Sequence, residues 1–111
     1  MFNEVILIGK LACKPVIKTT GNGSKMASAV IEVERPYRNS LGVREKDYIN
    51  CILWKGLAET ILSCCEEGSF IGLRGRIQSR SHENDDKENV NTLEVKVEHL
   101  SLLEKYINTN K

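Results

Sequence analysis

A chain of 111 residues, 41% hydrophobic and 28% charged, can bury one core and is too short for a second. No apolar run approaches the roughly 18 residues of a membrane span, and the opening MFNEVILIGK lacks the charged-then-apolar pattern of a secretory signal, so the expected compartment is the cytoplasm. The formal net charge of +1 hides an uneven distribution: Arg35 to Arg80 holds eight basic and five acidic residues, and the stretch from Ser81 onward holds four and seven. A basic middle permits a polyanionic partner, and it equally permits a charge-alternating solvated sheet face.

Glu4–Leu11, rich in Val, Ile and Leu, predicts a first strand, and Val16–Thr20 a short second one. Gly21-Asn22-Gly23 is a tight-turn signal, because Gly and Asn tolerate positive φ. Lys25–Glu34 follows as a strand, with Ala27, Ala29, Ile31 and Val33 on one face and Ser28, Glu32 and Glu34 on the other. Pro36 is expected to stop it. Arg38–Glu45, around Asn39-Ser40-Leu41-Gly42, predicts an exposed hairpin loop, and Lys46–Trp54 the next strand. Leu57, Ala58, Ile61, Leu62 and Cys65 fall at helical spacing, with Gly68 as the stop. Ser69–Gln78 returns to strand, and Asn84–Asn91 reads as another polar loop. Leu93, Val95 and Val97 alternate with Glu94, Lys96 and Glu98 in the last strand, whose charged face is expected to be solvated. The predicted fold class is all-β. Five strands with one short helix after the third are the signature of the OB-fold, a Greek-key barrel; residues 1–104 form it and 105–111 a short extension.

Cys13, Cys51, Cys64 and Cys65 lack the spacing of a zinc knuckle, and an adjacent pair is poorly placed for joint chelation. Reduced thiols are expected, with Cys51 a small core residue. His82 and His99 read as surface polar residues rather than ligands or bases. No nucleophile with a base, no phosphate-cradling glycine loop and no metal motif appears. The expectation is a protein that is not an enzyme and takes no cofactor.

The chain has one Trp, three Tyr and two Phe, so their placement is informative. Tyr48 and Trp54 stand an even number of residues apart on one predicted strand and therefore share a face. Ile49, Cys51 and Leu53 on the other face are apolar and suit a core. Tyr37 sits across the hairpin, where strand pairing would bring it near Tyr48. Lys55 flanks Trp54, Arg35 and Arg38 flank Tyr37, and Arg74 and Arg76 share a strand face with Gln78 and Arg80. Aromatic platforms beside a cationic groove bind single strands with little sequence preference. The alternative is that Tyr48 and Trp54 are half-buried packing residues and the arginines a solvated stripe.

Asn3–Leu11, VERPYR (33–38), DYINCILWKGLAE (47–59), EEGSF (66–70) and GRIQSR (75–80) resemble, in order from about Met1 to Leu103, the bacterial single-stranded DNA-binding protein family. The resemblance implies an OB-fold homotetramer that wraps single-stranded DNA in replication, recombination and repair, without cofactor or catalysis. It places stacking aromatics at Tyr37, Tyr48 and Trp54, and matches a fourth with His82, a smaller ring with a pH-dependent charge. Glu66-Glu67 departs from a family lysine before the Gly-Ser. The family's flexible tail with an acidic tip has no counterpart in Tyr106–Lys111. A truncated chain, a short paralogue of the kind used in DNA uptake, and a phage or plasmid version all fit; if the chain is naturally complete, binding without tail-recruited partners is expected. Two other functional classes are in view: a primosome-type OB adaptor, a dimer acting mainly through protein contacts, and, more distantly, a purely structural oligomerisation barrel.

Overall fold

The computed structural model describes residues 1–103. Six strands and one helix follow in the order β1 (Val5–Leu11), β2 (Val16–Thr19), β3 (Lys25–Arg38), β4 (Arg44–Trp54), α1 (Lys55–Cys64), β5 (Phe70–Glu83) and β6 (Asn89–Leu102). In β1, β3, β4, β5 and β6 the alternate apolar residues turn inward, and Leu11, Ala27, Ala29, Ile31, Cys51, Leu53, Ile71, Leu73, Val95 and Val97 make the core. Burial of Cys51 pushes its thiol up to about 12. Cys13, Cys51 and Cys64 are free thiols.

The sheet runs β1-β5-β6-β4-β3-β2, and a further β1–β3 pairing closes five of the strands into a barrel with β2 on the outer edge of β3. Two seams of that barrel are short. The β1–β3 ladder has the pairs Lys10↔Glu32 and Leu11↔Ile31, and β4 meets β6, in parallel, at Cys51↔Val95 and Ile52↔Lys96. Gly9 lies at the first seam, where a Cβ would stand 2.2 Å from the Glu32 carbonyl oxygen. Only a residue without a side chain lets β1 cross β3 so closely. Ala58 and Ile61 of α1 are buried against this core, and the helix packs on β3, β4 and β6. This is the OB-fold expected from the sequence, with the helix after the strand that ends at Trp54.

Beyond the reach of β1, the β3–β4 and β5–β6 hairpins continue as two-stranded arms. The first pairs out to Arg38↔Arg44 and the second to Glu83↔Asn89. Both loops are therefore shorter than the polar stretches suggested. The bends at Thr20, Asn39 and Asn84 share one design: the N–H of the first residue donates to the carbonyl of the fifth, and the N–H of the fourth donates back to the first. The fourth residue takes positive φ in each case, at Gly23, Gly42 and Lys87. In two of them an Asn side chain completes the turn: Asn39 Oδ1 accepts from Leu41 and Val43, and Asn84 Oδ1 from Asp86 and Glu88.

Pro36 does not end its strand. β3 runs through it to Arg38, with the register slipping between Glu34 and Arg38 so that residues 35–37 stand opposite Glu45. A bulge needs no ladder donor at each residue, which is the condition under which a strand accepts proline.

Candidate nucleic-acid interface

β4 carries, on its face away from Cys51 and Leu53, the series Lys46, Tyr48, Asn50, Ile52 and Trp54, in which Ile52 is buried. Its register extends the face across neighbouring strands: Ser28 pairs with Ile52, Ile52 with Lys96 and Lys96 with Arg76. One row thus crosses β3, β4, β6 and β5 and brings Arg76 to the aromatic strand. Lys96 belongs to it too. Sequence reading passed over Lys96 because a lysine alternating with glutamates looks like any solvated strand face.

Tyr48 is 62% exposed and Tyr37 equally so, while Trp54 is half-buried. Core packing does not explain the two exposed rings. The three are strung out, however, rather than gathered. Tyr48 pairs with Glu32 and Trp54 with Met26, and Tyr37 lies in the bulge opposite Glu45. At about 3.3 Å per residue, Tyr37 stands roughly 10 Å further up the arm than Tyr48, and Trp54 roughly 20 Å below it. The expectation that Tyr37 lies near Tyr48 is corrected accordingly: the register pairs Tyr48 with Glu32, five residues before Tyr37 on β3.

N-terminal to Cys51↔Val95, the β4–β6 ladder stops and the two arms part. Between them is a cavity of about 430 Å³, lined by Val5, Leu7, Ile49, Ile77, Leu93 and Val95 together with Tyr48, Asn50 and Glu94. Asn3 fastens one side of this mouth, its side-chain amide donating to the Ile77 carbonyl at 2.7 Å and accepting from the Ile77 N–H at 2.9 Å. Such an amide pair extends the β1–β5 ladder by one side chain.

The cations divide into two groups. Arg35 is committed to carboxylates: it donates to Asp47 at 2.9 and 3.1 Å and to Glu45. The Asp47 pair raises the guanidinium further above its usual range and holds the Asp47 carboxyl below its own. Arg80 lies 3.4 Å from Glu94, which also accepts from Gln78 at 3.0 Å. Glu94 is only 7% exposed, so the solvated face expected there is corrected at this residue; Glu98 remains exposed. Arg38 donates to the Gly42 carbonyl with its charge uncompensated by that contact. Arg74 pairs in register with His99 and lines an apolar hollow with Ile6, Ile8 and Leu103, one β5 step from Arg76. His82 is exposed on the same side of β5, out on the second arm opposite Val90. Lys55 adopts φ 52 where β4 turns into α1, a strained value for a residue with a Cβ. Glu66 and Glu67 are in the α1–β5 turn, where Ser69 Oγ accepts from the Glu66 N–H and Gly68 donates to Leu11. That turn joins the end of β1 rather than the face carrying Tyr48.

A five-strand Greek-key barrel with a helix after its third barrel strand, and a ring-and-cation face across the seam, defines the chain as an OB-fold protein. The model of the Single-strand binding protein family matches residues 2–103. The chain is 42% identical over 95 residues to single-stranded DNA-binding protein B of Bacillus subtilis, covering 86% of this chain and 84% of that protein. It is 39% identical over 104 residues to the single-stranded DNA-binding protein of Halalkalibacterium halodurans and 38% identical over 104 to single-stranded DNA-binding protein A of B. subtilis. It covers 62% and 60% of these last two. The chain belongs to the single-strand binding protein family.

Proposed function

We propose that this protein binds single-stranded DNA without sequence preference, by stacking bases on Tyr37, Tyr48 and Trp54 while Arg76, Lys96, Arg38, Lys55 and Arg74 meet phosphates. The observation that carries this reading is two tyrosines 62% exposed on the strand pair whose outward row ends in Lys96 and Arg76. A base offers a π-face whatever its identity, and each stacked base contributes about 1–3 kcal/mol. Arg35 and Arg80 hold carboxylates instead, so they act first as braces of the arms. His82 extends the path along the second arm. The role falls in replication, recombination, repair or DNA uptake, and requires no catalysis.

Self-association into a homotetramer is part of the same proposal. It is supported by Ile6 and Ile8, 69% and 55% exposed on the outer face of β1. Residues 1–104 make the binding domain; the extension 105–111 lies outside the described residues. Trp54 is the single tryptophan, so its fluorescence reports the face directly. Oligo-dT is expected to quench it at low salt, and emission unmoved by a saturating oligonucleotide overturns the assignment.

A further inference from the structure

We infer that Glu32 is a positioning residue of the binding face: its carboxylate holds the Tyr48 ring in place and masks the cations beside it. The inference rests on the binding role proposed above. Glu32 sits in the middle of a row that crosses three strands, paired with Lys10 of β1 on one side and Tyr48 of β4 on the other. Its Oε1 accepts a hydrogen bond from the Tyr48 hydroxyl at 3.2 Å and lies 3.6 Å from Lys46 Nζ. The carboxylate side chain is 24% exposed and the lysine 47%. Lys10, Glu32, Glu34 and Lys46 border one hollow with Ile8, Gly9 and Phe70. Two cations and two carboxylates leave that patch neutral.

Two effects follow from one carboxylate. A hydroxyl donating to an ionised acceptor makes a stronger bond than a neutral pair, so an exposed ring is held before any base arrives. Ordering it on binding would otherwise weaken association about 2- to 10-fold. The same oxygen competes with phosphate for Lys46, so the cations nearest Tyr48 contribute little until Glu32 is neutralised. This face thus favours stacking over charge at the position of Tyr48.

Three variants separate the effects in titrations with oligo-dT at several salt concentrations. Glu32→Gln keeps an acceptor for the Tyr48 hydroxyl and makes the patch net positive. Binding at low salt is expected to tighten, and the slope of log affinity on log salt to steepen by about 0.7, the share of one phosphate. Tyr48→Phe removes only the hydroxyl, and is expected to weaken binding about 2- to 10-fold at the wild-type slope. Glu32→Ala is expected to steepen the slope like Glu32→Gln yet bind more weakly than it by the Tyr48→Phe factor. A wild-type slope in Glu32→Gln, or wild-type affinity in Tyr48→Phe, overturns the inference. Wild-type protein that fails to bind oligo-dT overturns the binding role itself, so the two failures are distinguishable. Thermal melts by circular dichroism establish that each variant is folded, and the near-isosteric Glu32→Gln carries the decision if Glu32→Ala is not.

Discussion

Gly9→Ala tests how the barrel closes. A Cβ at this position would meet the Glu32 carbonyl oxygen at 2.2 Å and Ile31 Cγ2 at 3.1 Å, where ordinary contact begins at 3.4 Å. The obstacle is backbone, so β1 and β3 must separate by about 1 Å to regain contact distance. Two ladder pairs hold that seam, continued by the Ala12 N–H donating to the Val30 carbonyl at 2.9 Å. Overpacking of this kind costs about 1–3 kcal/mol, and weakening the seam's hydrogen bonds adds about 1 kcal/mol each. The expected loss is therefore roughly 2–5 kcal/mol out of a stability of about 5–15 kcal/mol. At about 4–8 °C per kcal/mol, Tm falls by at least roughly 8 °C in a circular dichroism melt. Gly56→Ala is the control: nothing lies within 4 Å of its added Cβ, and in α1 alanine is the better helix former by about 1 kcal/mol. Gly9→Ala melting alongside the wild type would refute a backbone-limited seam.

Trp54→Ala is expected to weaken oligo-dT binding by about 1–3 kcal/mol at nearly constant salt slope, whereas Arg76→Ala lowers the slope by roughly 0.7 if it meets one phosphate. The same change in both quantities from both variants would contradict that division. Lys87→Gly relieves a left-handed residue at a hairpin tip and is expected to stabilise the fold by about 1 kcal/mol in a urea titration; destabilisation would speak against the shared turn design. Arg35 depresses the Asp47 carboxyl below its ordinary 3.8, so the pair's contribution is present above that value and disappears as pH falls through the lower, folded-state one. Tm measured against pH is expected to drop on that acid limb, and Asp47→Asn to flatten the drop.

The closed part of the barrel was legible because its strands have one dry face and one wet face. Ala27, Ala29 and Ile31 against Ser28, Val30 and Glu32, or Cys51 and Leu53 in β4, leave little freedom of register. The arms were not legible. Toward the tips of the arms both faces meet solvent, so polar residues such as Asn89 and Asn91 carry no alternation and read as loop. Pro36 misled for a related reason: a bulge is fixed by the partner strand, which local sequence does not state. Of the candidate site, parity placed Tyr48 and Trp54 on one face correctly. It could not weigh Arg35 against Asp47 and Glu45, bury Glu94 beneath Gln78 and Arg80, or bring Lys96 beside Arg76. Those depend on cross-strand neighbours far away in the chain.

The arms also govern how the molecule behaves as a body in solution. The radius of gyration is 15.7 Å, where a compact chain of this length would have about 13 Å. Two ribbons standing off a small barrel add drag out of proportion to mass. A gel-filtration column calibrated with spherical standards will therefore overestimate the size of each assembly, and a monomer can pass for something larger. Counting the copies in an assembly calls for a method that weighs particles, such as light scattering or native mass spectrometry.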